Sequence, residues 1–140
     1  MQKGFFKKSQ TEEEAIAYLQ TKDFKSIKSI GISTAGFFEG FWAEKGKKVV
    51  ATTLDEKGVY YTKNLLKDIT GAENLELRIE DASRRMPEED NTYDIIYSRL
   101  CFHYLSNANL KVALQECYRV LKKGGELLII VKLGNFSCSP

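Results

Sequence analysis

Short runs of β-branched and apolar residues alternate along this chain with longer segments of helical period, and that alternation limits the fold more than any other feature. The strand candidates are Ile27 to Ile32, Lys48 to Leu54, Leu75 to Glu80, Tyr93 to Ser98 and Leu127 to Val131. Between them, Phe37, Phe38, Phe41 and Trp42 fall at helical spacing, and so do Val59, Thr62, Leu66 and Ile69. Leu110, Ala113, Leu114, Cys117 and Leu121 form a third helix face. Gly46 and Gly71 close the first two helices, and Asp55 is placed to cap the start of the second. Lys122 and Lys123 are expected in the last turn of the third, with Gly124-Gly125 stopping it. Ahead of all these, Thr11 and Glu14 read as a capping box opening an amino-terminal helix. Strands that alternate with helices imply right-handed crossovers and a parallel sheet, hence a doubly wound α/β fold. Leu127 to Val131 is apolar throughout, as in a strand buried on both faces.

Composition removes several function classes. The chain has 140 residues, a one-domain length, with 21 basic and 19 acidic side chains and a net charge of +2. That balance gives no basis for nucleic-acid or membrane binding. Lys7, Lys8, Lys25 and Lys28 form a mild basic cluster that reads as a solvated edge. Cys101, Cys117 and Cys138 are widely spaced and His103 is the single histidine, so neither a disulfide framework nor a zinc site is indicated. No metal site is expected. Met1 to Gln10 lacks the apolar run of a signal peptide, and no stretch approaches the length of a membrane span. A cytoplasmic location with free thiols is the expectation.

In doubly wound sheets the ligand crevice lies outside the carboxyl ends of the strands. Function is therefore expected in residues 31–36, 53–55, 80–82 and 98–105. The first of these, Gly31-Ile32-Ser33-Thr34-Ala35-Gly36, is a small-residue turn that lets a ligand approach the backbone. Asp81-Ala82 follows a strand, Met86-Pro87 leads into Asp90-Asn91-Thr92-Tyr93-Asp94, and Ser98 precedes His103-Tyr104-Leu105. Glu116-Cys117-Tyr118-Arg119-Val120-Leu121-Lys122-Lys123-Gly124-Gly125 completes the succession. Over about residues 25–132 this resembles the class I S-adenosylmethionine-dependent methyltransferases of the small-molecule type.

The resemblance implies a Rossmann-like sheet in the order 3-2-1-4-5 and S-adenosyl-L-methionine as cofactor. It implies that Gly31, Ser33 and Ala35 hold the methionine portion and that Thr53 and Leu54 lie at the ribose position. Asp81 and Ala82 would meet the adenine, and Ser98 and Arg99 would line the sulfonium side. A carboxylate such as Asp81 can accept adenine amino or ribose hydroxyl hydrogens, which supplies orientation that apolar stacking cannot. The implied organisation is an amino-terminal helical cap over 1–24 and one methyltransferase-like domain over 25–140.

Departures from the family pattern fall in the loop, just before it and at the end of the second strand. Two of its three glycines are replaced, by Ser33 and Ala35, and the residue before the loop, often acidic in the family, is Ser29. The ribose-binding acid is replaced by Thr53, and a lost charge-assisted bond is worth about 1.5–3 kcal/mol. Summed with a left-handed Ser33, these losses amount to about a hundredfold in affinity. His103 reads as pocket lining, because methyl transfer to a nucleophilic acceptor needs chiefly proximity and alignment. No catalytic residue is assigned. The aromatic group at 37–42 reads as core rather than as a cation cage.

The leading expectation is a methyltransferase with a small-molecule acceptor, and the alternative is an inactive binding or scaffold module. A dinucleotide oxidoreductase is disfavoured, since no ribose acid follows the loop. The family's usual sixth and seventh strands are not found. The fifth strand would then be a long apolar edge, either because the sequence is cut short or because a second copy or partner strand covers it.

Overall fold

The computed structural model describes residues 10–32, 36–99 and 105–130. The chain runs α1 (Gln10–Gln20), β1 (Ser26–Ile30), α2 (Phe37–Glu44), β2 (Lys48–Thr53), α3 (Glu56–Leu66), β3 (Leu75–Ile79), β4 (Tyr93–Arg99), α4 (Asn107–Val120) and β5 (Leu121–Ile130). The five strands form one sheet in the order β3-β2-β1-β4-β5, parallel throughout. This is the topology expected from the sequence.

Side chains alternate across a strand, so each strand feeds two cores. On one face α1 and α2 bring Ala15, Ile16, Leu19, Phe38, Trp42 and Ala43 against Ile27, Val49, Ile95 and Tyr97. Phe38 stacks on Tyr97 with ring centroids 4.0 Å apart, and Trp42 meets Phe24 and Phe41 edge-on at 5.0 Å. These aromatics are core, as expected. On the other face Ala113, Cys117 and Val120 of α4 pack with Ile30, Val50, Ile96, Met86 and Tyr93. Gly36 carries φ of 66°, and a Cβ there would come within 2.7 Å of Thr62 Cγ2 and Leu66 Cδ1. Glycine at this position lets α2 begin against α3.

Three local expectations need correction. Thr11 is not a cap, because α1 already runs from Gln10 and its buried side starts at Glu12 and continues through Ala15, Ile16 and Leu19. Lys122 and Lys123 are not in a last helical turn. Helix α4 ends at Val120, where Asn91 and Thr92 amides donate to the Arg119 and Val120 carbonyls at 2.9 and 2.7 Å. Leu121 is then free to pair with Tyr93, and a bulge over Lys122–Gly125 restores the register at Ile95–Glu126. Gly125 is needed in that bulge, since a Cβ would lie 2.7 Å from the Asp94 carbonyl oxygen. The apolar run of β5 is half-buried over Leu127–Ile130 rather than buried on both faces. Asp55, by contrast, caps α3 as expected, its Oδ1 accepting from the Lys57 amide at 3.0 Å.

A fourth expectation also fails, for Lys28 is not at a solvated edge. It lies on the central strand with its side chain fully buried. Its Nζ donates to Glu80 Oε1 at 2.8 Å and to Glu88 Oε1 at 2.9 Å. Arg78 Nη1 reaches Glu80 and Glu88, at 2.8 and 2.9 Å, and the Tyr93 hydroxyl donates to Glu88 at 2.5 Å. Burial pushes the Glu88 carboxyl up, but the Tyr93 hydroxyl and the Lys28 ammonium outweigh it and hold it below the usual range.

Candidate functional site

Parallel pairing brings the carboxyl ends of the strands to one edge. The Gly31 amide donates to the Thr52 carbonyl at 2.8 Å, and the Glu80 amide donates to the Thr53 carbonyl at 3.0 Å. Ile30 pairs with Ser98, and Arg99 with Ile130. Gly31, Thr53, Leu54, Asp81, Ser98 and Arg99 therefore follow or end adjacent strands. This brings residues as far apart in the chain as Gly31 and Ser98 into one row at that edge. Gly31 has φ of 87°, a left-handed conformation that L side chains rarely adopt, so glycine is required at this turn.

Thr53 Oγ1 accepts the Asp55 amide at 3.2 Å, and Asp55 itself is used as the helix cap. The strand end thus carries a hydroxyl rather than an acid, and the acid two residues on serves the start of α3. Leu54 is 69% exposed, an apolar side chain left at the rim. Asp81 accepts from the Ser83 hydroxyl at 2.6 Å and the Ser83 amide at 2.9 Å. Those two bonds hold its carboxyl below the usual range, with Arg84 Nε at 3.4 Å adding to the effect. Ala82 packs against the α4-side core. The Ser98 hydroxyl is buried without a hydrogen-bond partner among the described residues. A buried hydroxyl left so costs free energy unless another group satisfies it. Of Arg99 the backbone alone is placed. Ser33, Ala35, Cys101 and His103 lie outside the described residues.

The Glu116 and Arg119 pair of the carboxyl-terminal motif acts away from the rim. Arg119 donates to the carbonyls of Met86 and Glu88 at 3.0 and 2.9 Å, and to Glu116 at 2.8 Å. Glu116 in turn accepts the Met86 amide at 2.8 Å, and Arg119 keeps its carboxyl below the usual range. The pair straps residues 86–90 to α4, which fixes the segment that follows Asp81.

One polar residue beside the loop was not visible in the pattern. Glu39 of α2 is fully buried, and its Oε2 accepts from the Ser29 hydroxyl at 2.7 Å. The same hydroxyl lies 3.5 Å from the Gly31 carbonyl oxygen, so Ser29 links α2 to the end of β1 beside that turn.

Among solved structures the chain is similar to a candidate methyltransferase from Bacillus halodurans, with 26% identity and a TM-score of 0.72 over 86% of this chain and 50% of that one. A TehB-like S-adenosylmethionine-dependent methyltransferase from Corynebacterium glutamicum shares 20% identity, with a TM-score of 0.71 over 91% of this chain and 65% of that one. The [4+2]-cyclase SpnF shares the fold at 16% identity, with a TM-score of 0.69 over 79% of this chain and 41% of that one. The chain thus spans between 41% and 65% of the length of these structures. No curated protein sequence matches it. Residues 29–129, most of the chain, match the family model of the methyltransferase domain. The chain belongs to the methyltransferase domain family, whose cofactor is S-adenosyl-L-methionine.

Proposed function

We propose that this domain binds S-adenosyl-L-methionine along the carboxyl edge of its sheet and transfers the methyl group to a small-molecule acceptor. The observation that carries the reading is the row formed by Gly31, Leu54, Asp81 and Ser98, inside the segment that matches the family. These residues fit the cofactor. The exposed Leu54 offers an apolar face to a ring, and the Asp81 carboxylate has lone pairs beyond those taken by Ser83 for amine or hydroxyl hydrogens. Gly31 admits close approach of a ligand to the backbone, and the Ser98 hydroxyl has bonding capacity to offer inward. When bound, the cofactor supplies an electrophilic methyl group on a sulfonium. The protein's own share is to orient both reactants and exclude water, because displacement at methyl depends on proximity and alignment.

Calorimetric titration with S-adenosylmethionine and S-adenosylhomocysteine tests the reading. Micromolar affinity is expected, together with a loss of at least about tenfold in Asp81→Ala, the value of one charge-assisted bond. An Asp81→Ala variant that binds like the wild type would put the cofactor elsewhere.

A second reading, a scaffold module with lost cofactor binding, is favoured by one observation. Strand β2 ends in the Thr53 hydroxyl, and Asp55 is turned to capping α3, so the strand end itself brings no acid to the ribose. Silence at hundreds of micromolar of either ligand would establish that reading and end the enzymatic one. Under the scaffold reading, Thr53→Asp should restore measurable binding.

A further inference from the structure

We propose that the outer edge of β3 is a docking surface for a second copy of this chain, paired antiparallel about a two-fold axis at Leu77. Strand β3 ends the sheet on one side, and among the described residues no strand pairs with its outer edge. The Glu80 amide points inward, donating to the Thr53 carbonyl. Backbone groups alternate sides along a strand, so those of Glu76 and Arg78 also face β2, and those of Leu75, Leu77 and Ile79 face outward. Such an edge is a template for another strand. Charge and pattern select the occupant. Pairing the segment with itself about Leu77 sets Leu75 against Ile79 and Glu76 against Arg78. The outward backbone groups then belong to the hydrogen-bonded pairs, and Glu76 meets Arg78 at a non-hydrogen-bonded pair, where side chains come closer. The Glu76 side chain is 60% exposed, with Arg78 Nε of its own strand at 2.9 Å. Glu80 and Glu88 hold Arg78 Nη1 at 2.8 and 2.9 Å, so the guanidinium is already fixed in place for a second carboxylate. On the opposite face of the strand, pairing brings Leu75 of the second copy over Ile79, which is otherwise exposed. Helix α3, which packs on β3, also leaves Tyr60, Tyr61 and Leu65 exposed. The other edge of the sheet lacks this self-complementarity. Strand β5 carries a bulge that breaks its register, and pairing residues 126–130 with themselves about Leu128 would set Glu126 against Ile130. In the β3 dimer the sheet runs through both copies, with their carboxyl edges turned opposite ways.

Sedimentation equilibrium of the whole chain, over about three decades of concentration up to millimolar, tests the association. A reversible equilibrium between monomer and dimer is expected. Glu76→Lys sets a cation against Arg78 of the other copy at both symmetric positions, and should weaken the dimer at least about tenfold. Its melting curve at monomer concentrations should stay close to that of the wild type, because Glu76 is exposed. Amide hydrogen exchange locates the contact. The Leu77 and Ile79 amides should exchange more slowly as concentration rises, while those of Glu76 and Arg78, which face β2, should not change. A chain that stays monomeric up to millimolar overturns the proposal. So does a dimer that Glu76→Lys leaves intact, or one in which the Leu77 amide exchanges as fast as in the monomer, since the contact then lies on another surface such as the β5 edge. Should Glu76→Lys not fold, the exchange measurement on the wild type decides alone.

Discussion

Lys28 and Ser29 are neighbours on the central strand, and they point to opposite faces of the sheet, where each meets a buried carboxylate. The Lys28 side is a closed arrangement: two cations, two carboxylates and a phenol, tied by bonds of 2.5–2.9 Å. The Ser29 side has a hydroxyl from the strand and a carboxylate from α2, joined at 2.7 Å. A fully satisfied network rigidifies what it touches, and this one fastens β1 to the ends of β3 and to the segment after Asp81. The other arrangement places a carboxylate beside the turn where a ligand is expected. Similar groups on one strand are thus built into two different settings, one tying three elements together and one joining the strand to α2.

The largest effect should come from opening the closed network. Lys28→Met removes the ammonium shared by Glu80 and Glu88, whose side chains are 16% and 7% exposed. Breaking a buried pair from one side costs about 3–5 kcal/mol. Urea denaturation should register that loss, and replacing Lys28 and Glu88 together by leucine should recover part of it. A Lys28→Met variant as stable as the wild type would abolish the distinction between the two faces.

Arg119→Lys should cost less, about 2 kcal/mol, because a lysine cannot span the Met86 and Glu88 carbonyls and Glu116 together. It loosens the segment that carries Glu88. Urea denaturation should register the loss, and an Arg119→Lys variant as stable as the wild type would mean that the strap adds nothing to the fold.

Acid provides a smaller and more selective probe. The Glu88 carboxyl is held below its ordinary 4.5 in the folded state, by Tyr93 and Lys28 against the opposing effect of burial. The unfolded chain then binds more protons between the two values, so stability rises with pH there. The contribution is fully present above the unfolded value and is lost as pH falls through the folded one. Thermal melts of the wild type should therefore steepen in their decline below about pH 5. In Lys28→Met the decline should be shallower, since Glu88 has lost one of the groups that held its carboxyl down. Parallel curves for the two proteins would remove Lys28 from the account of the shift.

The fold was legible because its signals are local. Asp55 sits one residue before α3, Phe38 and Trp42 repeat at one helical turn, and β-branched runs mark β1 and β2. The rim positions followed from the motif order together with parallel pairing. What escaped depends on partners distant in sequence. Lys28 in Ser26–Ile30 has the spacing of a solvent-facing strand position, and it is buried because Glu80 and Glu88 come to it from 52 and 60 residues away. Glu39 looks like the usual acid in a first helical turn, and Ser29, which gives it meaning, stands on another element. Lys122–Gly125 imitates a helix end because the pairing of Leu121 with Tyr93 is invisible along the chain.

The smallest effect on stability should come from Glu39→Gln, and that smallness is what makes it informative. The amide oxygen can still accept the Ser29 hydroxyl, so the cost is the difference between a charged and a neutral acceptor, about 1 kcal/mol. Lys28→Met leaves Glu80 and Glu88 to share Arg78 in place of two cations, whereas Glu39→Gln keeps an acceptor for Ser29. Denaturant midpoints should therefore rank Lys28→Met far below Glu39→Gln. If Glu39→Gln instead destabilises as strongly as Lys28→Met, then the carboxylate on the α2 face is part of the folding machinery.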